Sequence, residues 1–369
     1  MPAVGIVETK YVNLGEFQLE SGARLPEVTV AYETYGQLNA EGTNAVLVLH
    51  ALTGDAHVAG KHDPQDKLPG WWDPLVGPGR AIDTNKYFVV CSNVLGGCYG
   101  TTGPASVNPE TGKPYGMSFP VVTIRDMVRL QKKLVDTLGI KRLVCAIGGS
   151  MGGMQALEWA VTYPDFLDSV IPIATSGRLS AQAIAYNEVQ RQAIIMDPNW
   201  NNGDYYGREV PARGLSLARM IGTITYKSDE SWNFKFGRAF NGKQNGGYYS
   251  FNSRFEVENY LHYQGMKLVK RFDANCYLYL TKAMDLHDVG RGYPSYKEAL
   301  QRIRAKCLMI GIRSDILYPP HYQKEVAEIL REAGRPAYYM ELNSPYGHDA
   351  FLIEFDMMTP IIRGFLESI

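Results

Sequence analysis

An apolar run, Leu143 to Ile147, leads into Gly148-Gly149-Ser150-Met151-Gly152-Gly153, and a helix-like segment follows to about Thr162. This strand–turn–helix unit constrains the fold more than any other stretch. Glycines around a lone serine allow a turn too tight for side chains, with the serine in a strained backbone conformation. Ser150 then stands at the carboxyl edge of a sheet, and the following helix points its positive end at it.

The same alternation recurs on both sides. Ala45–Leu52 and Tyr87–Asn93 are short, nearly continuous apolar runs, as in a sheet covered on both faces. Ile124–Ile140 reads as an amphipathic helix stopped by Gly139, and "SVIPIAT" as another strand. Near the start, "FQLESGARLPEVTVAYETYG" reads as two strands about a Ser21-Gly22 turn. The alternation breaks near Gly177. It resumes with "CLMIGI" (Cys307–Ile312), a helix from Pro320 to Ala333, "AYYMEL", and a last helix from Ala350 to Glu367. The expectation is an α/β core, residues 1–177 and 305–369, with a mostly parallel sheet and helices on both faces. Residues 178–304 read as an inserted helical cap.

With 369 residues and 45% hydrophobic content, the chain can bury a large core. Its formal net charge of -1 offers no basic excess for nucleic acid or a membrane surface. No apolar run approaches the ~20 residues of a membrane helix, and the N-terminus lacks a signal-peptide pattern. Cys91, Cys98, Cys145, Cys276 and Cys307 are odd in number and scattered, without a CxxC pair. That argues against a zinc site or disulfide framework and for a reduced, cytoplasmic setting. Cys91 and Cys145 read as buried thiols. No metal is expected.

Gly148-Gly149-Ser150-Met151-Gly152 matches G-x-S-x-G in the strand–turn–helix context that motif needs. A dinucleotide loop would need glycine where Ser150 stands and an acid ending the next strand. A Walker loop would need Gly-Lys-Ser/Thr. A glycine-rich turn with an ordinary serine is the bland alternative, and it weakens once partners are found. A nucleophilic serine needs a base, and the base an orienting acid. Asp315 follows the strand "CLMIGI", and His348 lies in a loop after the next strand, in the order Ser, Asp, His. An oxyanion hole would take the N–H groups of Met151 and of Leu52, in the loop after Ala45–Leu49. His50 and His57 read as structural, and His62, His262, His287 and His321 as surface or structural.

"HALTGDAHV", "GWWDPLVGPGRAIDTNKYFVVCSNVLGGCYGTTGPAS", "AIGGSMGGMQALEWA", "GLSLARMIGTITYKS", "SDILYPP" and "YGHDAFL" carry a resemblance. Across residues 10 to the C-terminus the chain resembles the homoserine O-acetyltransferases of the α/β-hydrolase fold. The resemblance implies ping-pong acetyl transfer from acetyl-CoA to the hydroxyl of L-homoserine, a step toward methionine. It implies Ser150, Asp315 and His348 as triad, and Arg219 and Asp349 as holders of homoserine's carboxylate and ammonium. A bidentate arginine and a carboxylate suit a zwitterion. It also implies a homodimer through the cap, acetyl-CoA as co-substrate and no permanently bound cofactor. Relatives that use succinyl-CoA tend to carry arginine two positions after the triad aspartate. Here that position is Leu317, which suits acetyl. The rivals are an O-succinyltransferase, a serine O-acetyltransferase, a carboxylester hydrolase and a non-catalytic binding protein on the same fold. Trp71 and Trp72 read as core.

Overall fold

The computed structural model describes residues 4–241 and 247–369. At its centre is an eight-stranded sheet. Its strands are β1 (Lys10–Asn13), β2 (Thr29–Tyr35), β3 (Ala45–Leu49), β4 (Phe88–Ser92), β5 (Leu143–Gly149), β6 (Leu167–Ile173), β7 (Lys306–Ile312) and β8 (Ala337–Leu342). Their spatial order is β1-β2-β4-β3-β5-β6-β7-β8. β2 pairs antiparallel with β1 and β4, and every other neighbouring pair in this sheet is parallel.

Strand composition explains the two covered faces. β3 is "AVLVL", with every residue buried. Successive side chains point to opposite faces, so Leu47 and Leu49 enter one core cluster and Val46 and Val48 the other. Each such side chain contributes roughly 1.5–3 kcal/mol when fully buried. Helices α1 (Ile124–Thr137) and α2 (Met151–Thr162) pack on the first cluster. α1 starts at a capping box, with Thr123 accepting from the Asp126 N–H and Asp126 from the Thr123 N–H. It ends before Gly139, whose φ of +78° only glycine adopts freely.

Between β6 and β7 lie α3 (Ala181–Ile195), α4 (Ala212–Thr225), α5 (Asp229–Phe236), α6 (Glu256–Val269), α7 (Ala274–Asp285) and α8 (Tyr296–Gln301). α3 packs against α4 and α7, and α4 against α6. The chain enters and leaves this block through a narrow neck. There Leu179 N donates to His287 O (3.0 Å) and Val289 N to Gly177 O (2.9 Å). α8 packs against α9 (His321–Glu332), although it belongs to the stretch expected as cap. α10 (Phe355–Leu366) covers the second face through Met358, Ile362, Phe365 and Leu366.

Three expected elements differ in extent. The Ser21-Gly22 hairpin is only Phe17–Gln18 against Arg24–Leu25, and the following apolar run joins the large sheet as β2. β3 stops at Leu49, because Ala51–Gly54 closes into a turn through Gly54 N and Ala51 O (2.9 Å). The last helix begins at Phe355, not Ala350. Gly347–Leu352 is a separate 3-10 turn, and Ile353 (φ -130°, ψ -45°) and Glu354 (φ -88°, ψ 53°) break the path. The Asp349 N–H donates outside the turn, to Tyr226 O (3.1 Å).

Trp72 is fully buried and its Nε1 donates to Phe351 O (3.0 Å). Trp71 packs beside it and donates to Asp55 O (3.1 Å). Trp72 is a core side chain, and Trp71 is a half-buried one packed against the core. β3 lies between β4 and β5, so the strand order reverses there. Ligands of open parallel sheets bind beyond the carboxyl ends at such a reversal.

Candidate active site

Ser150 follows directly on β5 with φ 58° and ψ -124°. A non-glycine residue in that region stores about 1–3 kcal/mol and needs its surroundings to hold it. The hold is on both sides. Ser150 N donates to Ile173 O (2.9 Å), and Ser150 O accepts from Gly153 N (2.9 Å) and Met154 N (3.1 Å). The neighbouring glycines answer to close approach. A Cβ on Gly152 would collide with the Leu49 carbonyl oxygen, and one on Gly149 with the Phe351 ring. They thereby bring the end of β3 and the 347–352 turn against the serine. Met151 opens α2, so its N–H has no acceptor within the helix.

The loop after β3 is set by His50. Its Nδ1 lies 2.8 Å from Ala51 O, and its Nε2 accepts from Val94 N (3.1 Å). An acceptor at Nε2 puts the proton on Nδ1, which donates to Ala51 O. Burial lowers the pKa of this imidazole and keeps it neutral. The Ala51 carbonyl is thus pinned from one side, and in a planar trans peptide the Leu52 N–H points the other way. Leu52 lines the cavity in front of Ser150. The "SNVLGG" segment acts from behind through this Val94–His50–Ala51 chain.

His348 Nδ1 donates to Asp315 Oδ2 at 2.7 Å. A carboxylate only accepts, so the proton sits on Nδ1 and Nε2 is left as a base. Asp315 is fixed in turn. Its Oδ1 accepts the backbone N–H groups of Leu317 (2.8 Å) and Tyr318 (2.9 Å). Tyr318, Phe351 and Tyr226 surround the imidazole at ring-centroid distances of 5.2, 5.5 and 5.9 Å. Ser150 and His348 line one cavity. Among the described residues no hydrogen bond joins them. Such contacts commonly tighten only with substrate in place.

Arg219, Asp349, Leu317 and Leu52 line the same cavity, while Met151 is buried beneath it. Arg219 projects from α4 and lies over the Tyr226 ring, 5.3 Å from its centroid. Among the described residues it has no carboxylate within ion-pair distance. Asp349 does have a cation: Lys227 Nζ is 3.3 Å from its Oδ2. That partner was not anticipated from sequence, nor were Asn187 and Gln190 of α3, Tyr226, and Met284 of α7, which complete the wall. Helical periodicity within 178–304 marks buried positions but not which buried polar group meets a cavity. Asp349 caps no helix, since the last helix starts later. His287, expected as surface or structural, is buried at the neck beside Ser176 O (3.0 Å). His262 and His321 are exposed.

The family model of the alpha/beta hydrolase fold matches residues 44–355. The chain is 64% identical over 367 residues to a homoserine O-acetyltransferase of Carboxydothermus hydrogenoformans, covering 100% of this chain and 97% of that protein. The crystal structure of homoserine O-acetyltransferase from Bacillus anthracis has a TM-score of 0.92 at 35% identity, covering 98% of each chain. That of esterase E22 has a TM-score of 0.91 at 33% identity, covering 98% of this chain and 100% of that one. Full-length identity at this level, together with the family-model match and the TM-score of 0.92, decides the assignment: the chain belongs to the homoserine O-acetyltransferase family, on the α/β-hydrolase fold.

Proposed function

We propose that this protein transfers an acetyl group from acetyl-CoA to the side-chain hydroxyl of L-homoserine, toward methionine, through an acetyl-Ser150 intermediate. In the first half-reaction His348 Nε2 takes the Ser150 proton and Oγ attacks the thioester carbon. The N–H groups of Leu52 and Met151 hold the oxyanion, and CoA leaves as the thiol with the proton from His348. In the second, His348 takes the homoserine hydroxyl proton, the alkoxide attacks the acetyl carbon, and the proton returns to Ser150. Asp315 orients the imidazole and stabilises its cationic form.

The observation that carries the acceptor is Arg219, an arginine facing the cavity of Ser150 that has no carboxylate partner among the described residues. A substrate carboxylate is the group it lacks. Asp349 Oδ1, which accepts no hydrogen bond among the described residues, suits the substrate ammonium beside Lys227. Leu317, buried and apolar at the cavity wall, favours a methyl over a succinyl carboxylate. We read residues 178–304 as the cap, which supplies Arg219 and Lys227 to this half of the site. Exposed Leu217, Phe234, Tyr263 and Met266 on its helices support a homodimer through the cap. No helix among the described residues is long and apolar enough to cross a membrane, and a cytoplasmic location fits the free cysteines. Acetyl-CoA serves as co-substrate, with no resident cofactor.

The test is CoA release from acetyl-CoA and from succinyl-CoA, with homoserine, serine or water as acceptor. Acetyl-CoA with homoserine should be fastest. The similarity to esterase E22 favours a second reading, ester hydrolysis. Release independent of homoserine would establish that reading instead.

A further inference from the structure

A second carboxylate–imidazole cluster lies outside the catalytic cavity. Glu33, on β2, is fully buried. Its Oε2 is 3.0 Å from His57 Nδ1 and its Oε1 is 2.7 Å from His62 Nε2. The two rings lie side by side, with centroids 3.9 Å apart. Among the described residues no lysine or arginine pairs with Glu33. Its carboxylate is instead met by His57, His62 and the Tyr35 hydroxyl. A buried anion with no permanent cation is an expensive arrangement.

We propose that Glu33, His57 and His62 form a site for one divalent transition-metal ion of the zinc class. Two imidazoles and a carboxylate are a ligand set zinc takes, with a fourth position left for water. The three ligand atoms already lie within 4.8 Å of one another. A tetrahedral zinc with bonds of about 2.0–2.1 Å needs them roughly 3.4 Å apart. Small side-chain rotations supply the difference, and His62, with 46% of its side chain exposed, is free to make them and opens the route from solvent.

The carboxylate is oriented by more than the imidazoles. The Tyr35 hydroxyl donates to Oε2 (2.7 Å) and the Thr9 hydroxyl to Oε1 (2.8 Å). The Tyr35 oxygen itself accepts from Val58 N (2.9 Å). When both imidazoles turn their lone pairs to the ion, these donors remain as the outer shell that aims a metal-binding carboxylate. Each neutral ring moves its proton to its other nitrogen, so none is lost overall. The ion would clip β2, through Glu33, to the loop after β3, through His57 and His62. The expectation of no metal rested on cysteine spacing. That does not bear on ligands drawn from separated segments.

The experiment uses the full chain, stripped with chelator and titrated with zinc, and with cobalt(II) as optical probe. Wild type should bind one ion per chain and gain thermal stability. His62→Gln should weaken binding more than about tenfold, whereas His348→Gln should not change it. No binding to wild type, unchanged binding in His62→Gln, or binding that needs His348 would each overturn the proposal. His62 is half exposed, so its replacement leaves the fold intact, as circular dichroism can verify.

Discussion

The two halves of the cavity are built by different means. On the core side, backbone geometry does the placing. Ser150 is held at positive φ, the Leu52 N–H is aimed by a pinned peptide, and Asp315 is gripped by two backbone N–H groups. On the cap side, helical side chains reach in: Asn187 and Gln190 from α3, and Arg219 from α4. A backbone-built half leaves little room for variation, because each group depends on close approach of several segments. A half built of side chains on packed helices can change its substrate by changing a residue. On the proposed mechanism, acyl uptake falls to the core, and the acceptor is held by Arg219 of the cap together with Asp349 of the core.

That division can be broken by experiment. Ser150→Ala should cost the most, with acetyl transfer falling about 10⁶-fold and no acetyl-enzyme in intact-mass spectra. Residual transfer near wild type would remove Ser150 from the mechanism. Asp315→Asn should lower kcat by about 10⁴-fold in both half-reactions, because the imidazole then loses its orienting acceptor. Loss in one half-reaction alone would contradict a base shared by both. Arg219→Ala sharpens the comparison. It removes charged hydrogen bonds worth about 1.5–3 kcal/mol, so kcat/KM for homoserine should fall roughly 10- to 150-fold. The acyl-enzyme burst from p-nitrophenyl acetate should stay the same, and a burst that falls equally would erase the division of labour. Gly152→Ala tests the core's rigidity through stability, by forcing a methyl against the Leu49 carbonyl. The urea midpoint should drop by an amount equivalent to about 1–3 kcal/mol. Gly364→Ala, where a Cβ on α10 meets nothing within 4 Å, should instead gain about 0.5–1 kcal/mol.

Much of the core half was legible in the chain. Apolar strands such as "AVLVL" announce a sheet covered on both faces, and G-x-S-x-G after β5 announces the serine turn. Asp315 and His348 could be placed because each follows a recognisable strand. The 3-10 turn carrying His348 was not legible, since "HDAFL" continues smoothly into the helical pattern. What interrupts it is a tether to Tyr226 O, more than a hundred residues earlier in the chain. The pairing of Lys227 with Asp349, and which of the two readings of His287, surface or structural, would hold, were not legible for the same reason. Both depend on how the helical block docks on the core. The cap's polar wall was legible only as composition.

The sequence alone determined the order of strands and helices, the serine turn and the three residues that follow strand ends, because these rest on local periodicity and steric rules. Resemblance added Arg219 and Asp349. Only the tertiary structure decided that Arg219 lacks a carboxylate partner among the described residues, that Lys227 engages Asp349, and that His50 sets the Leu52 peptide. It alone brought Glu33, His57 and His62 together. Contacts between segments far apart in the chain arise from packing two covered sheet faces and docking a helical block, and no local pattern records their distances.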